Sequence, residues 1–316
     1  SDMREKKVSP IGHYKRATTA VIGKIMLYAA LIVIGFVFLY PFLYMLAQSV
    51  MSYEDIVDAT VEWIPRDFSF SNYSVAYSVL SVSSTLKNSV FLTAVCTFGH
   101  LLVCSVIGYG FARFPYKGSR ALFGGVILSM LIPIQTLIIP RYNLFTKIEV
   151  LTGIPMTKGY LPMIIPCFLG FGLYGGLYIF LFRQYFIRMP KSLEEAAYID
   201  GCGSLRAFYA IALPTAGPTV TVSLVLSIVW HWNDFYEPSV FLVEPKQWLL
   251  PQVLPELYNR LMSSQISDTS KINESILYHE GVVMAATVIT LIPLMIVYFI
   301  LQRRFMESIE RSGLVE

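Results

Sequence analysis

Long apolar runs alternate with short polar ones along this chain. Residues 25–53 contain no charged side chain. Further charge-free runs cover residues 88–112, 121–140, 159–182, 207–233 and 281–302. Each reaches the roughly 20 residues that a helix needs to cross a bilayer. The pattern predicts six spanning helices. It does not predict a barrel, which would show short strands of alternating polarity. The first run is too long for a signal-peptide core, and Tyr40-Pro41 is expected to break its far end. Met3 is expected to be the natural first residue, with Ser1 and Asp2 a cloning remnant.

Composition agrees with that pattern. Apolar residues make up 55% of the 316, and charged residues 14%, against roughly 25% in soluble domains. A net charge of +3, with no basic–aromatic patch, gives no footprint for nucleic acid. Six spans put both termini on one side, and the Lys and Arg positions choose which. Sixteen of the 24 fall on the side of the termini, among them Lys15, Lys117, Lys191 and Arg311. The positive-inside rule therefore predicts cytoplasmic termini. Asp58, Lys147 and Lys271 fall outside, as does the acidic group Glu54, Asp55, Asp58, Glu62 and Asp67.

Candidate chemistry is sparse. No phosphate-binding loop, H-E-x-x-H or G-x-S-x-G is present. Cys96, Cys104, Cys167 and Cys202 show neither metal-ligand spacing nor a disulfide framework, so they read as small packing residues and no metal is expected. Trp63, Trp230 and Trp232 read as interface anchors. Gly172 and Gly176 form a G-x-x-x-G pair that lets helices approach closely. His100, mid-span, reads as a neutral histidine satisfied by a neighbouring helix. Residues 262–273 read as a flexible serine-rich loop.

Residues 191–218 are polar yet lie between two apolar runs. Ser192 and Glu195 have capping-box spacing, and a short helix 193–199 is expected after them. Gly201 and Gly203 would stop it, Ser204 would cap a second helix 205–213, and Pro214 would end or kink that one. Taken alone, this describes an ordinary helix–turn–helix loop.

The residues of that stretch carry more. Glu195-Ala196-Ala197, Asp200-Gly201 and Ile211 with Leu213-Pro214 resemble the EAA loop of the membrane-spanning subunits of binding-protein-dependent ABC importers. Cys202 stands where alanine is usual. Other elements resemble the carbohydrate, maltose-type branch. They are Phe68-Ser69-Phe70-Ser71-Asn72-Tyr73, Asn88-Ser89 opening span two, Tyr109-Gly110-Phe111-Ala112-Arg113-Phe114, Ile132-Pro133 with Pro140, Trp232-Asn233-Asp234-Phe235 and Gln302-Arg303-Arg304-Phe305.

The resemblance implies an all-α polytopic protein with the type I importer permease fold and a cytoplasmic coupling helix. Its expected segments are a cytoplasmic stretch 1–24, a first helix with external loop 25–85, a core 86–302 and a cytoplasmic tail 303–316. The core holds the EAA loop 191–218 and an external loop 234–280. The implied function is import of a sugar or oligosaccharide; a non-sugar solute and an ion-driven secondary transporter are the alternatives. The chain itself would be no enzyme and bind no cofactor. ATP and Mg would belong to two partner ATPase subunits, alongside a second permease and an external binding protein. Glu194, Glu195, Ala196, Ala197, Asp200, Gly201, Leu213 and Pro214 would couple to the ATPase. Glu195 can cap its helix, pair with an ATPase arginine, or do both. Asn88, Tyr174, Trp230 and Asn233 are candidates for the substrate pathway, although Asn88 can equally cap span two.

Overall fold

The computed structural model describes residues 10–257, 259–261 and 272–313, and side chains within 21–257, 259–261 and 280–307. Residues 262–271 of the expected serine-rich loop lie outside the described residues. Among those described, the structure is helical, with one isolated β-bridge between Met51 and Phe68. The chain divides into two compact units, Ser1–Tyr73 with Asn273–Ala285 and Ser74–Ile272 with Ala286–Glu316.

In the first unit, helix α1 (Pro10–Ser49) runs unbroken through Pro41. The expected break is absent: the helix continues past the missing N–H of Pro41 to Ser49. Side chains such as Ile32 and Phe38 stand exposed along it. Helix α2 (Tyr53–Val57) follows, and α3 (Ser71–Val79) begins in this unit and continues into the second from Ser74. Asn72 is buried, and its Nδ2 donates to the carbonyls of Ser49 and Met51 at 3.1 and 2.9 Å. It thereby satisfies carbonyls left open at and just past the end of α1.

In the second unit, α4 (Val82–Arg113) is the central helix. It is followed by α5 (Ser119–Leu131) and α6 (Ile134–Thr152), bent by 108° at Ile132-Pro133. Ile132 is extended, as a residue before proline prefers to be. The run 159–182 was expected as one helix and is two, α7 (Leu161–Phe168) and α8 (Gly175–Arg188). Left-handed residues at Gly170 and Tyr174 interrupt it. Helix α9 (Ser192–Ile199) is next, then a helical stretch made of α10 (Ser204–Ala207), a π-helical turn Phe208–Ala212 and α11 (Leu213–Thr215). After a 78° bend come α12 (Gly217–Asn233), α13 (Tyr236–Phe241) and α14 (Leu250–Val253). The last helix, α15 (Ile272–Gly313), has residues 273–285 in the first unit and the others in the second.

Three described helices are long and apolar enough to cross a membrane: Val21–Ser49, Val82–Arg113 and Glu280–Glu307. Counting each bent pair as one span raises this to five. The sixth expected span is the interrupted α7–α8 run. Against α4 pack Tyr178, Phe182 and Phe186 of α8, with Phe208 beyond them. A second cluster joins Leu92 and Cys96 of α4 to Phe145, Met163 and Phe241.

Candidate functional site

Two regions of the second unit combine unusual geometry with accessible surface. The first is the hairpin from Lys191 to Ala216. Helix α9 begins one residue before the expected position, with the backbone carbonyl of Lys191 accepting from the N–H groups of Glu194 and Glu195, both at 3.0 Å. Ser192 is therefore the first helical residue rather than the cap, and the expected capping box does not form. No side-chain hydrogen bond caps this end, so the capping role of Glu195 falls away, and its side chain is exposed.

The far end of α9 follows the expected logic. Gly201 has φ of +81°. The N–H of Cys202 donates to the carbonyl of Ala197 at 2.9 Å, and that of Gly201 to Tyr198 at 3.1 Å. This paired pattern is a Schellman motif. Gly203 has φ of −74°, a value open to any residue, and Ser204 is the first residue of α10 without a side-chain cap. The expected stop at Gly203 and cap at Ser204 are thus both absent. Pro214 sits just after the π turn and just before the 78° bend, where its missing N–H weakens the ladder. Leu213 is half-buried and Pro214 exposed.

The base of the hairpin is fixed from inside. Glu194 is buried, and its Oε2 lies 3.0 Å from Nε of Arg113, the last residue of α4. Side-chain exposures of 6% and 7% put this ion pair out of water. Arg113 also donates from Nη2 to the Met189 carbonyl at 2.6 Å. The tip is the reverse: Ile199 is 86% and Leu205 71% exposed. Tyr198, Tyr209, Ala196, Asp200 and Glu195 are exposed beside them, while Ala197 is buried. Sequence reading named Glu194 but missed Arg113 as its partner. The signal was there as a lone arginine closing an apolar run.

The second region is a cavity of about 640 Å³. Its walls come from the α5–α6 elbow, the interrupted segment between α7 and α8, and Trp230 of α12. Non-helical backbone at membrane depth is tolerated where it lines a cavity. Tyr174 and Trp230 meet there with ring centroids 4.0 Å apart. Tyr174 holds φ of +57°, a strained value for a residue with a side chain. Gly176 lies close to α5: a Cβ there would approach Ser129 Oγ at 2.8 Å. Gly172, the other half of the G-x-x-x-G pair, lies in the break and not on a helix.

Arg141 lines the cavity and pairs with buried Glu237 of α13. Burial pushes the Glu237 carboxyl up, against the pull of the Arg141 guanidinium. Asp234 accepts from the N–H groups of Tyr236 and Glu237 and so shapes the start of α13.

Of the four pathway candidates, the structure brings together Tyr174 and Trp230. Asn88 lies inside α4, six residues past its start, so it caps nothing and does not open the helix. Its Nδ2 donates to the carbonyls of Lys246 and Trp248, holding that stretch to α4. Asn233 is exposed and bonds back to Val229. Trp232 was expected at an interface but is buried, with Nε1 donating to the Thr290 carbonyl at 3.2 Å. His100 does meet a neighbouring helix, through His231.

Comparison with known proteins places this geometry. The family described as "Binding-protein-dependent transport system inner membrane component" matches residues 104–311. A probable ABC transporter permease protein of Pyrococcus horikoshii is 32% identical over 71% of this chain and 79% of its own length. A probable starch degradation products transport system permease protein of Thermoanaerobacterium thermosulfurigenes is 28% identical, over 88% and 92%. The fold is shared with a chain of a bacterial ABC transporter involved in the import of the acidic polysaccharide alginate. That likeness has a TM-score of 0.67 and 22% identity, and it covers 95% of this chain and all of that one.

Proposed function

The chain belongs to the family of inner membrane components of binding-protein-dependent transport systems, and we propose that it is the permease subunit through which an ATP-driven importer moves a sugar or oligosaccharide. The hairpin is the observation that carries this reading. Its base is locked to α4 by the buried Arg113–Glu194 pair, and its tip offers Ile199 and Leu205 to a partner. A rigid lever with an apolar end transmits the motion of whatever grips that end.

That partner is a pair of ATPase subunits on the cytoplasmic side, where the Lys and Arg asymmetry also puts both termini. The chain lacks a phosphate-binding loop, so ATP and Mg are bound, and ATP hydrolysed, by the partners. Glu195, freed from capping, faces outward and is placed to meet a basic ATPase side chain. A second permease completes the membrane unit, and an external binding protein delivers the solute. Carbohydrate is supported by the starch-product system of the relative and by the aromatic faces of Tyr174 and Trp230. Sugar rings stack on such faces, and cavity groups such as Ser129 and Arg141 can hydrogen-bond hydroxyls.

Reconstitution tests the reading. Proteoliposomes holding this chain, a second permease and the ATPase pair are given binding protein and labelled maltodextrins. Uptake is expected only with ATP inside and binding protein outside. Uptake driven by an ion gradient without ATP would overturn it.

A further inference from the structure

Four side chains with no part in the coupling hairpin meet inside the packet of α4, α7 and α12. Cys96 and His100 are one turn apart on α4 and so share a face. Cys167 comes from the last turn of α7, and His231 from the last turn of α12. The two thiol sulfurs and a ring nitrogen of His231 all lie within 4.8 Å of one another. Cys167 Sγ is 3.8 Å from His231 Nε2, which is 3.2 Å from His100 Nδ1. Cys96, Cys167 and His100 are fully buried and His231 nearly so.

These separations have a chemical meaning. In a tetrahedral site with metal–sulfur bonds of about 2.3 Å and metal–nitrogen bonds of about 2.0 Å, the sulfur–nitrogen edge is about 3.5 Å. The Cys167–His231 contact of 3.8 Å falls close to it. His100 packs beside His231 and keeps a buried Nε2 with no partner.

We propose that Cys96, Cys167 and His231 bind one thiophilic d¹⁰ cation, Zn²⁺, inside the membrane, with a water as the fourth ligand. Binding releases the two thiol protons. Two thiolates and a divalent cation then sum to zero charge, which suits an interior that penalises net charge. The site ties the eight-residue α7 to α4 and α12, just before the chain breaks to line the cavity. Access is from that cavity. Gly172 lines it, and a Cβ at Gly172 would lie 2.4 Å from His100 Nε2 and 2.6 Å from Cys167 Sγ. Only glycine backbone separates cluster from cavity there.

The test uses the assembled transporter, purified under reducing conditions, loaded with Zn²⁺ and desalted. Mass spectrometry for metals is expected to find one Zn²⁺ per copy of this chain. Cys104→Ser alters a buried thiol outside the cluster, pointing at the Gly175 carbonyl, and keeps the metal. Cys167→Ser and His231→Ala lose it to background. Co²⁺ loading of the wild type gives tetrahedral d–d absorption and a thiolate charge-transfer band, and this decides the matter if either variant fails to assemble. Zinc at buffer level in the loaded wild type overturns the proposal. So does equal zinc in Cys167→Ser, a Co²⁺ spectrum without the thiolate band, or a Cys96–Cys167 disulfide with no metal.

Discussion

The coupling hairpin and the cavity wall are both irregular, and they are irregular for opposite reasons. In the hairpin a Schellman motif closes α9 locally, and a buried Arg113–Glu194 pair fixes its base from α4. Its surface residues reach outward. In the cavity wall, Gly170 and Tyr174 hold left-handed backbone, and the glycines of the 170–176 segment remove side chains where space is needed. One region spends its residues on stiffness and an exposed tip, the other on empty volume. On the proposed function, damage to the first is expected to uncouple transport from ATP hydrolysis, and damage to the second to block the solute.

The sharpest way to break this contrast is at the base of the hairpin. Glu194→Ala leaves the Arg113 guanidinium buried and unpaired, which costs about 3–5 kcal/mol. The melting temperature of the purified complex should fall, and ATPase recovery with it. Glu195→Ala, one residue away on the exposed face, should stay within about 0.5 kcal/mol. Replacing both members of the pair, Arg113→Met with Glu194→Leu, should recover most of the lost stability, because no charge is then stranded.

Gly172→Ala probes the opposite region. Its Cβ would also meet the Cys167 Cα at 2.9 Å, so the backbone must shift, at about 1–3 kcal/mol for overpacking. Uptake should drop while ATPase subunits still co-purify. Loss of ATPase recovery would show that the two regions are not separable.

Gly201→Val sharpens the comparison from the other side. Nothing lies within 4 Å of a Cβ there, so the cost is backbone strain alone, about 1–2 kcal/mol for a left-handed residue. The chain should insert and pair with the second permease, since each span satisfies its own backbone. Transport should fail. Wild-type uptake would remove α9 from the coupling path.

The smallest effect expected is on pH. Glu149 accepts from the Thr157 hydroxyl and from the N–H groups of Thr157 and Met156. These bonds hold its carboxyl below the ordinary 4.5. A depressed acid stabilises the fold fully above the ordinary value and loses that contribution as pH falls through its own. Amide exchange at Thr157 should therefore rise, relative to a Glu149→Gln control, only in acid.

The hairpin was legible in the sequence because its signals are contiguous: Glu195-Ala196-Ala197, the αL glycine Gly201 and Pro214 all act within one stretch. Arg113 lies far from Glu194 along the chain, so no local pattern joins them. The capping box misled because the spacing of Ser192 and Glu195 does not say which residue begins the helix, and here Lys191 precedes the serine as cap. The interrupted α7–α8 run reads as one span by hydropathy, which is blind to backbone dihedrals; Pro166 and its cluster of glycines were the only hint. Tyr174 and Trp230 could be named as aromatic residues near span ends, but their meeting depends on how α12 packs. Cys96, Cys167, His100 and His231 come from three helices, and linear spacing carries no trace of their meeting.

On the proposed function, the tip of the hairpin is held by the ATPase. A single cysteine at position 199, in a chain whose native cysteines are replaced by serine or alanine and whose uptake is retained, tests it most directly. With the assembled complex treated by a short bifunctional crosslinker, the account predicts a covalent product between this chain and an ATPase subunit, with the linked peptide running through position 199. It also predicts that the yield changes between ATP-bound and nucleotide-free states. A transport-active complex in which position 199 never links to the ATPase would contradict it.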